Sequence, residues 1–295
     1  MSGAHRGTAP RGRDRRAAAC LWGAGAAFAL TALLYAVATG LPAARRLDAR
    51  VRAPKVVGDW RWGDIANPRF EDAANAGIAA VCVLALLVVL ARRRWVLAAA
   101  VAGLMVTGFG VAAVLAHLLG AWDPFGGEAL RQTTGGFPSG HASGAAIACL
   151  ALVIAVPPRA RVATGGLAGP ASAAVAVGMV ALGWHYPSDI AAGFLAMLAL
   201  CLAFLAAGPG RTQLRRTGGG WGAGAATALV GVTAGGAAAV WGLHHFPDEA
   251  AMTFVRAHPV FMSATSALSL LAIGTTSVLV AALGTGTDDI ATGGG

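Results

Sequence analysis

Apolar residues run through this chain in long blocks, and polar residues gather in short clusters between them. Seven segments, 17–44, 73–91, 95–122, 162–188, 190–210, 217–247 and 257–287, contain no Asp, Glu, Lys or Arg. Each reaches the length of about 20 residues that a helix needs to cross the hydrocarbon core of a bilayer. An eighth block, 132–158, is equally free of charge, but its first part is rich in Gly, Thr and Pro, so its helix is expected from His141 to Val156. The break between 162–188 and 190–210 is marked by Pro187 and Asp189. The pattern predicts an all-α, polytopic membrane bundle of eight transmembrane helices, the fourth of them short. A closed barrel would need alternating apolar and polar positions, which Ala/Leu/Val runs do not supply.

Composition supports a membrane protein. Of 295 residues 57% are hydrophobic and 12% charged, roughly half the charged share of a soluble domain. Disorder and a disulfide-rich secreted scaffold are both excluded. Cys20, Cys82, Cys149 and Cys201 all lie in apolar stretches without CxxC spacing, as small buried hydrophobes do. The net charge of +9 does not point to nucleic acid, because the Lys and Arg residues lie between apolar runs. The expected partners are membrane lipids.

Residues 1–16 form a basic tail (Arg6, Arg11, Arg13, Arg15, Arg16), poor in large apolar residues and expected to be disordered. The apolar run behind it is about twice the length of a signal-peptide core and is expected to stay as a helix. Residues 17–207 form a six-helix membrane domain, 208–220 a Gly-rich connector, 221–287 a helix pair, and 288–295 a tail. With the N-terminus inside, thirteen of the 22 Lys and Arg fall on the cytoplasmic side and nine outside, seven of the nine in the connection 45–72. Short loops follow the positive-inside rule, which places both termini in the cytoplasm of a plasma-membrane protein.

Ionisable groups at membrane depth are expensive and ask for a function. Two clusters stand out, Gly136-Phe137-Pro138-Ser139-Gly140-His141-Ala142-Ser143 and Gly183-Trp184-His185-Tyr186-Pro187-Ser188-Asp189, the second followed by Gly193. Both fall at the outer membrane surface in this topology. Pro138 to His141 place a turn, a hydroxyl and a flexible backbone at a helix start, where N–H groups and the macrodipole favour an anion. His185 and Asp189 are four apart and would share one helical face. A carboxylate on one imidazole nitrogen leaves the other as nucleophile or base, and a second histidine can protonate a leaving oxygen. Isolated histidines such as His117, His244, His245 and His258 are expected as polar helix caps. A zinc site would need further ligands, and Asp189, His117 and His245 show no compact spacing.

These residues resemble the type 2 phosphatidic acid phosphatases, which share a core with vanadium haloperoxidases. The family's second block, Pro-Ser-Gly-His, stands intact at 138–141. Its third block, Ser-Arg, five residues, His, three residues, Asp, is matched by His185, Asp189 and the later Gly193. The resemblance covers about 17–207. It implies His185 as the nucleophile that forms a phosphohistidine, His141 as general acid, Asp189 as the group orienting His185, and Ser139 and Gly140 as phosphate contacts. It implies a lipid phosphate or diphosphate as substrate, hydrolysed without metal or other cofactor.

Three family cations are missing. The first block, Lys, six residues, Arg-Pro, falls on Ala116, Asp123 and Pro124, and the Ser-Arg pair of the third on Gly178 and Met179. Phosphoryl transfer spreads charge over three oxygens, and positioned cations stabilise it. Arg131, ahead of Phe137, is the best substitute, with His117, Arg61, Arg69 and Arg256 as others. The alternative function is a catalytically silent relative that binds or moves an anionic lipid.

Overall fold

The computed structural model describes residues 11–52, 63–119, 136–207, 220–245 and 249–284, with side chains at all of these except 11–14, 52, 63–68, 241–245 and 249–252. All regular structure among the described residues is helical: α1 (Arg11–Gly40), α2 (Pro42–Arg52), α3 (Gly63–Ala91), α4 (Trp95–Leu119), α5 (Gly140–Ala155), α6 (Arg161–Ala181), α7 (Pro187–Ala206), α8 (Gly220–His245), α9 (Glu249–Ala257) and α10 (Pro259–Leu283), with a 3-10 turn at Pro158–Ala160. Among the described residues seven helices are long and apolar enough to cross a membrane, and α5 is a shorter apolar one. The chain is a multi-pass helical membrane bundle, with the short fourth span where the sequence predicts it.

The bundle is built around α5. Thirteen of its sixteen residues are buried, and α3, α4, α6 and α7 pack around it. The outer helices show large apolar side chains outward, among them Trp22, Phe28, Leu87, Val106, Trp221 and Leu229. In water such a surface would be unstable; against lipid it is the expected one. The C-terminal pair, α8 and α10, packs on α6. A Cβ on Gly169 would lie 2.8 Å from the Ile273 Cα, so small residues on α6 allow that backbone to approach closely.

Two sets of contacts tie together one end of the bundle. The Arg92 guanidinium donates to the Ala155 carbonyl, and Arg161 donates to the carbonyls of Leu283 and Gly284 at 3.2 and 3.0 Å. These satisfy carbonyls that the C-termini of α5 and α10 leave without intrahelical partners. The opposite end carries α2, the start of α5 and the turn between α6 and α7.

Several boundaries differ from the expected ones. The helix α1 begins at Arg11, so part of the tail expected to be disordered is helical; Ala and Arg both favour helix. It stops at Gly40, because Pro42 opens α2. The connection 45–72 holds most of α2 and the first turns of α3, and the connection 246–256 holds most of α9. Both α2 and α9 are short and amphipathic, which a search for uncharged blocks passes over. The predicted segment 162–188 ends early: α6 stops at Ala181. Gly183 has φ 69°; its N–H donates to the Val180 carbonyl and that of Trp184 to the Met179 carbonyl. This is the Schellman closure that a left-handed glycine permits. The connector 208–219 and the tail beyond 284 lie outside the described residues.

Candidate functional site

The second polar cluster is built on the start of α7. Pro187 occupies the first helical position, where its missing N–H costs nothing. Asp189, in that first turn, accepts the backbone N–H of Tyr186 through Oδ2 at 3.2 Å. The same oxygen lies 3.6 Å from Nδ1 of His185. His185 is therefore not on the helix it was expected to share with Asp189. It stands in the turn before α7, and Asp189 reaches back to it. The two side chains stand close, at 3.6 Å and without a hydrogen bond between them, and they do not share a helical face.

The first cluster meets the second through the backbone. The N–H of Ser139 donates to the Asp189 carbonyl at 3.0 Å. The Ser139 side chain caps α5 by accepting the Ala142 N–H at 3.3 Å, and its hydroxyl faces the Met179 sulfur at 3.6 Å. Ser139 is fully buried, while Gly140 is exposed and a Cβ there would meet nothing. Among the described residues the N–H groups of Gly140 and His141 meet no acceptor outside α5. They point along the helix start, where an anion is stabilised.

His141 completes the pair. Its ring is 6.0 Å from that of Trp184, and it lies within electrostatic range of both His185 and Glu71. Trp184 in turn meets Phe70 edge-on at 5.7 Å. His185 is 4% exposed, so its orientation is set by packing. Gly193, one turn behind Asp189, lets α5 and α7 touch: a Cβ there would be 2.9 Å from Ser143 Oγ and 3.1 Å from Ser143 N.

The structure explains two of the missing family residues. Met179, at the arginine position, is fully buried beneath Ser139. Gly178, at the serine position, is covered by the Phe70 ring, which any Cβ would strike. The site is closed there by apolar groups. Ala116 and the exposed His117 lie near the end of α4. Arg131, Arg61, Asp123 and Pro124 lie outside the described residues, as do the side chains of His244 and His245. Arg69 and Arg256 are exposed. Among the described residues no three His, Cys, Asp or Glu side chains gather as a metal-binding set.

One neighbour escaped the sequence reading. Asp48 of α2 accepts hydrogen bonds from both the hydroxyl and the backbone N–H of Ser188, and it feels the Asp189 carboxylate. It thus caps α7 from another helix. Burial pushes its carboxyl from 3.8 up to about 6; the Ser188 hydroxyl opposes that rise, Asp189 adds to it, and the Ser188 N–H opposes it. No local spacing links Asp48 to Ser188. Nor does any local spacing link Glu71 to His141.

Both histidine blocks fall in one stretch of chain that is recognisable on its own. Residues 119–213 match the PAP2 superfamily. The resemblance to type 2 phosphatidic acid phosphatases stands over this PAP2 segment, which holds α5, α6 and α7 whole. No curated protein and no solved structure matches the chain. The superfamily is generally one of phosphatases acting on phosphate esters.

Proposed function

We propose that this chain is an integral membrane phosphatase that removes phosphate from a lipid phosphate or diphosphate at the outer leaflet of the plasma membrane. One observation carries the reading: Asp189 faces Nδ1 of His185 while its own carbonyl holds the Pro-Ser-Gly-His turn. A carboxylate on Nδ1 selects the tautomer whose Nε2 lone pair is free. The gap of 3.6 Å is longer than a hydrogen bond, as catalytic contacts often are before substrate binds.

In this reading Nε2 of His185 attacks phosphorus, and the bond from phosphorus to the lipid oxygen breaks. His141 gives its proton to that oxygen. Water then attacks the phosphohistidine, His141 takes a proton from the water, and His185 and phosphate separate. Asp189 stabilises the positive charge on His185 in both steps. The N–H groups of Gly140 and His141, with the cap residue Ser139, receive the phosphate oxygens. Arg131, which precedes this turn in the sequence, is assigned to the same oxygens, because its planar fork suits them.

Buried Met179 and the Phe70 ring over Gly178 favour a second reading, in which the chain binds or moves an anionic lipid without turnover. Purified protein assayed for phosphate release from phosphatidic acid, phosphatidylglycerol phosphate and polyprenyl diphosphate, with and without chelator, separates the two. Release that survives chelation supports the metal-independent phosphatase. No release from any of them supports the silent relative.

A further inference from the structure

The apolar groups at the family's Ser-Arg positions, Gly178 and Met179, raise the question of how an anionic head group is gathered at this end of the bundle. The described side chains around the histidines make the question sharper, because they include three carboxylates: Asp48, Asp189 and Glu71. Cations close at hand lie on α2, whose eleven residues include Arg45, Arg46, Arg50 and Arg52.

We propose that α2 is a docking surface for anionic lipid phosphate head groups and delivers them to the His141–His185 end of the bundle. The proposal rests on the phosphatase reading, since it names where that site collects its substrate.

Three observations support it. The first is charge. Seven of the nine Lys and Arg assigned outside fall in 45–72, four of them on α2. Cations outside run against the bias that orients membrane helices, so their retention asks for a use. The second is attachment. The Asp48 carboxyl takes both donors of Ser188 at the start of α7, and Val51 is buried on the same face. The helix is thereby held beside Asp189. The third is what the other face presents. Arg46 and Arg50 are exposed and one turn apart, and Leu47 beside them and Leu41 just ahead of the helix are 54% and 53% exposed. Leucines and arginines on one outward face suit a helix lying in the head-group layer. Free phosphate would gain nothing from the leucines, and the guanidinium forks suit a lipid phosphate.

The test uses the full chain in nanodiscs of phosphatidylcholine with dioleoyl phosphatidic acid. Native mass spectrometry reads the preference for retained phosphatidic acid. Phosphatase assays read kcat/KM for phosphatidic acid relative to a water-soluble aryl phosphate. Arg46→Gln with Arg50→Gln lowers both ratios by about tenfold, and Leu47→Ser lowers them while keeping the charge. The charge-matched pair Arg94→Gln with Arg159→Gln, at the opposite end, leaves both ratios as in the wild type. Unchanged ratios in the α2 variants, an equal loss in the control pair, or displacement of the lipid by inorganic phosphate alone would overturn the proposal. A lost lipid preference in a protein that releases no phosphate upholds docking at α2 and removes the phosphatase reading. Normal release with unchanged ratios does the reverse.

Discussion

The backbone N–H of Ser139 donates to the carbonyl oxygen of Asp189 at 3.0 Å, so the two polar clusters of the sequence are held together by main chain. This bond does not depend on any side chain of the site. It sets the start of α5, with His141, against the start of α7, with Asp189 and His185 just before it. Changes that move α5 away from α7 should therefore impair the site even when every site residue is kept.

Gly193→Ala tests that coupling. The added methyl would meet Ser143 Oγ and Ser143 N. Overpacking of this kind costs about 1–3 kcal/mol. The variant should melt at a lower temperature than wild type and release phosphate more slowly. Gly140→Ala, where a Cβ meets nothing, should leave the melting temperature unchanged.

Restoring the family's cation in place should fail. Met179 is fully buried, and breaking into such a position with an unpaired guanidinium costs about 3–5 kcal/mol. Met179→Arg should lower the melting temperature and add no phosphatase activity. Gly178→Ser should do likewise, because of the Phe70 ring. Thermal melts in detergent, alongside phosphate release, check both.

The Asp48 carboxyl gives a pH signature. Its value of about 6 in the folded chain lies above its ordinary 3.8. The folded state then binds more protons than the unfolded state between these two values, so stability falls as pH rises through that window. Above about pH 6 the ionised carboxylate carries the full cost. Asp48→Asn keeps an acceptor for Ser188 without the charge. It should melt above the wild type at pH 7.5, and the gap should shrink towards pH 4.5. A constant gap across that range would contradict the assignment.

The bundle was legible because a bilayer imposes a long uncharged block on every span, and the eight blocks are unmistakable. The approach of His185 to Asp189 was legible from motif spacing, but its geometry was not. Gly183 carried the signal for the end of α6, yet the absence of charge up to Asp189 hid it. The helices α2 and α9 were hidden by their polar composition and short length. Asp48, Glu71 and Phe70 belong to the site through tertiary packing alone, and no spacing in the chain joins them to Ser188, His141 or Gly178.

Sidedness has its own test. Gly140 is exposed at the site end, and Arg94 follows the turn between α3 and α4 at the other end. Single cysteines at these positions, with the four native cysteines replaced, should differ towards an impermeant thiol reagent in intact cells. Labelling at 140 and not at 94 is expected from the positive-inside distribution. The reverse would place the site in the cytoplasm.

The central claim is a phosphohistidine at His185, and rapid acid-free quenching with phosphorus-labelled phosphatidic acid measures it most directly. Wild type should show acid-labile, alkali-stable label on the peptide that contains His185. His185→Gln should show neither label nor turnover. His141→Ala should lose about 10²–10⁴-fold in rate with phosphatidic acid and less with an aryl phosphate whose oxygen needs no proton to leave. Continued phosphate release by His185→Gln, or label that stays in that variant, would contradict the account.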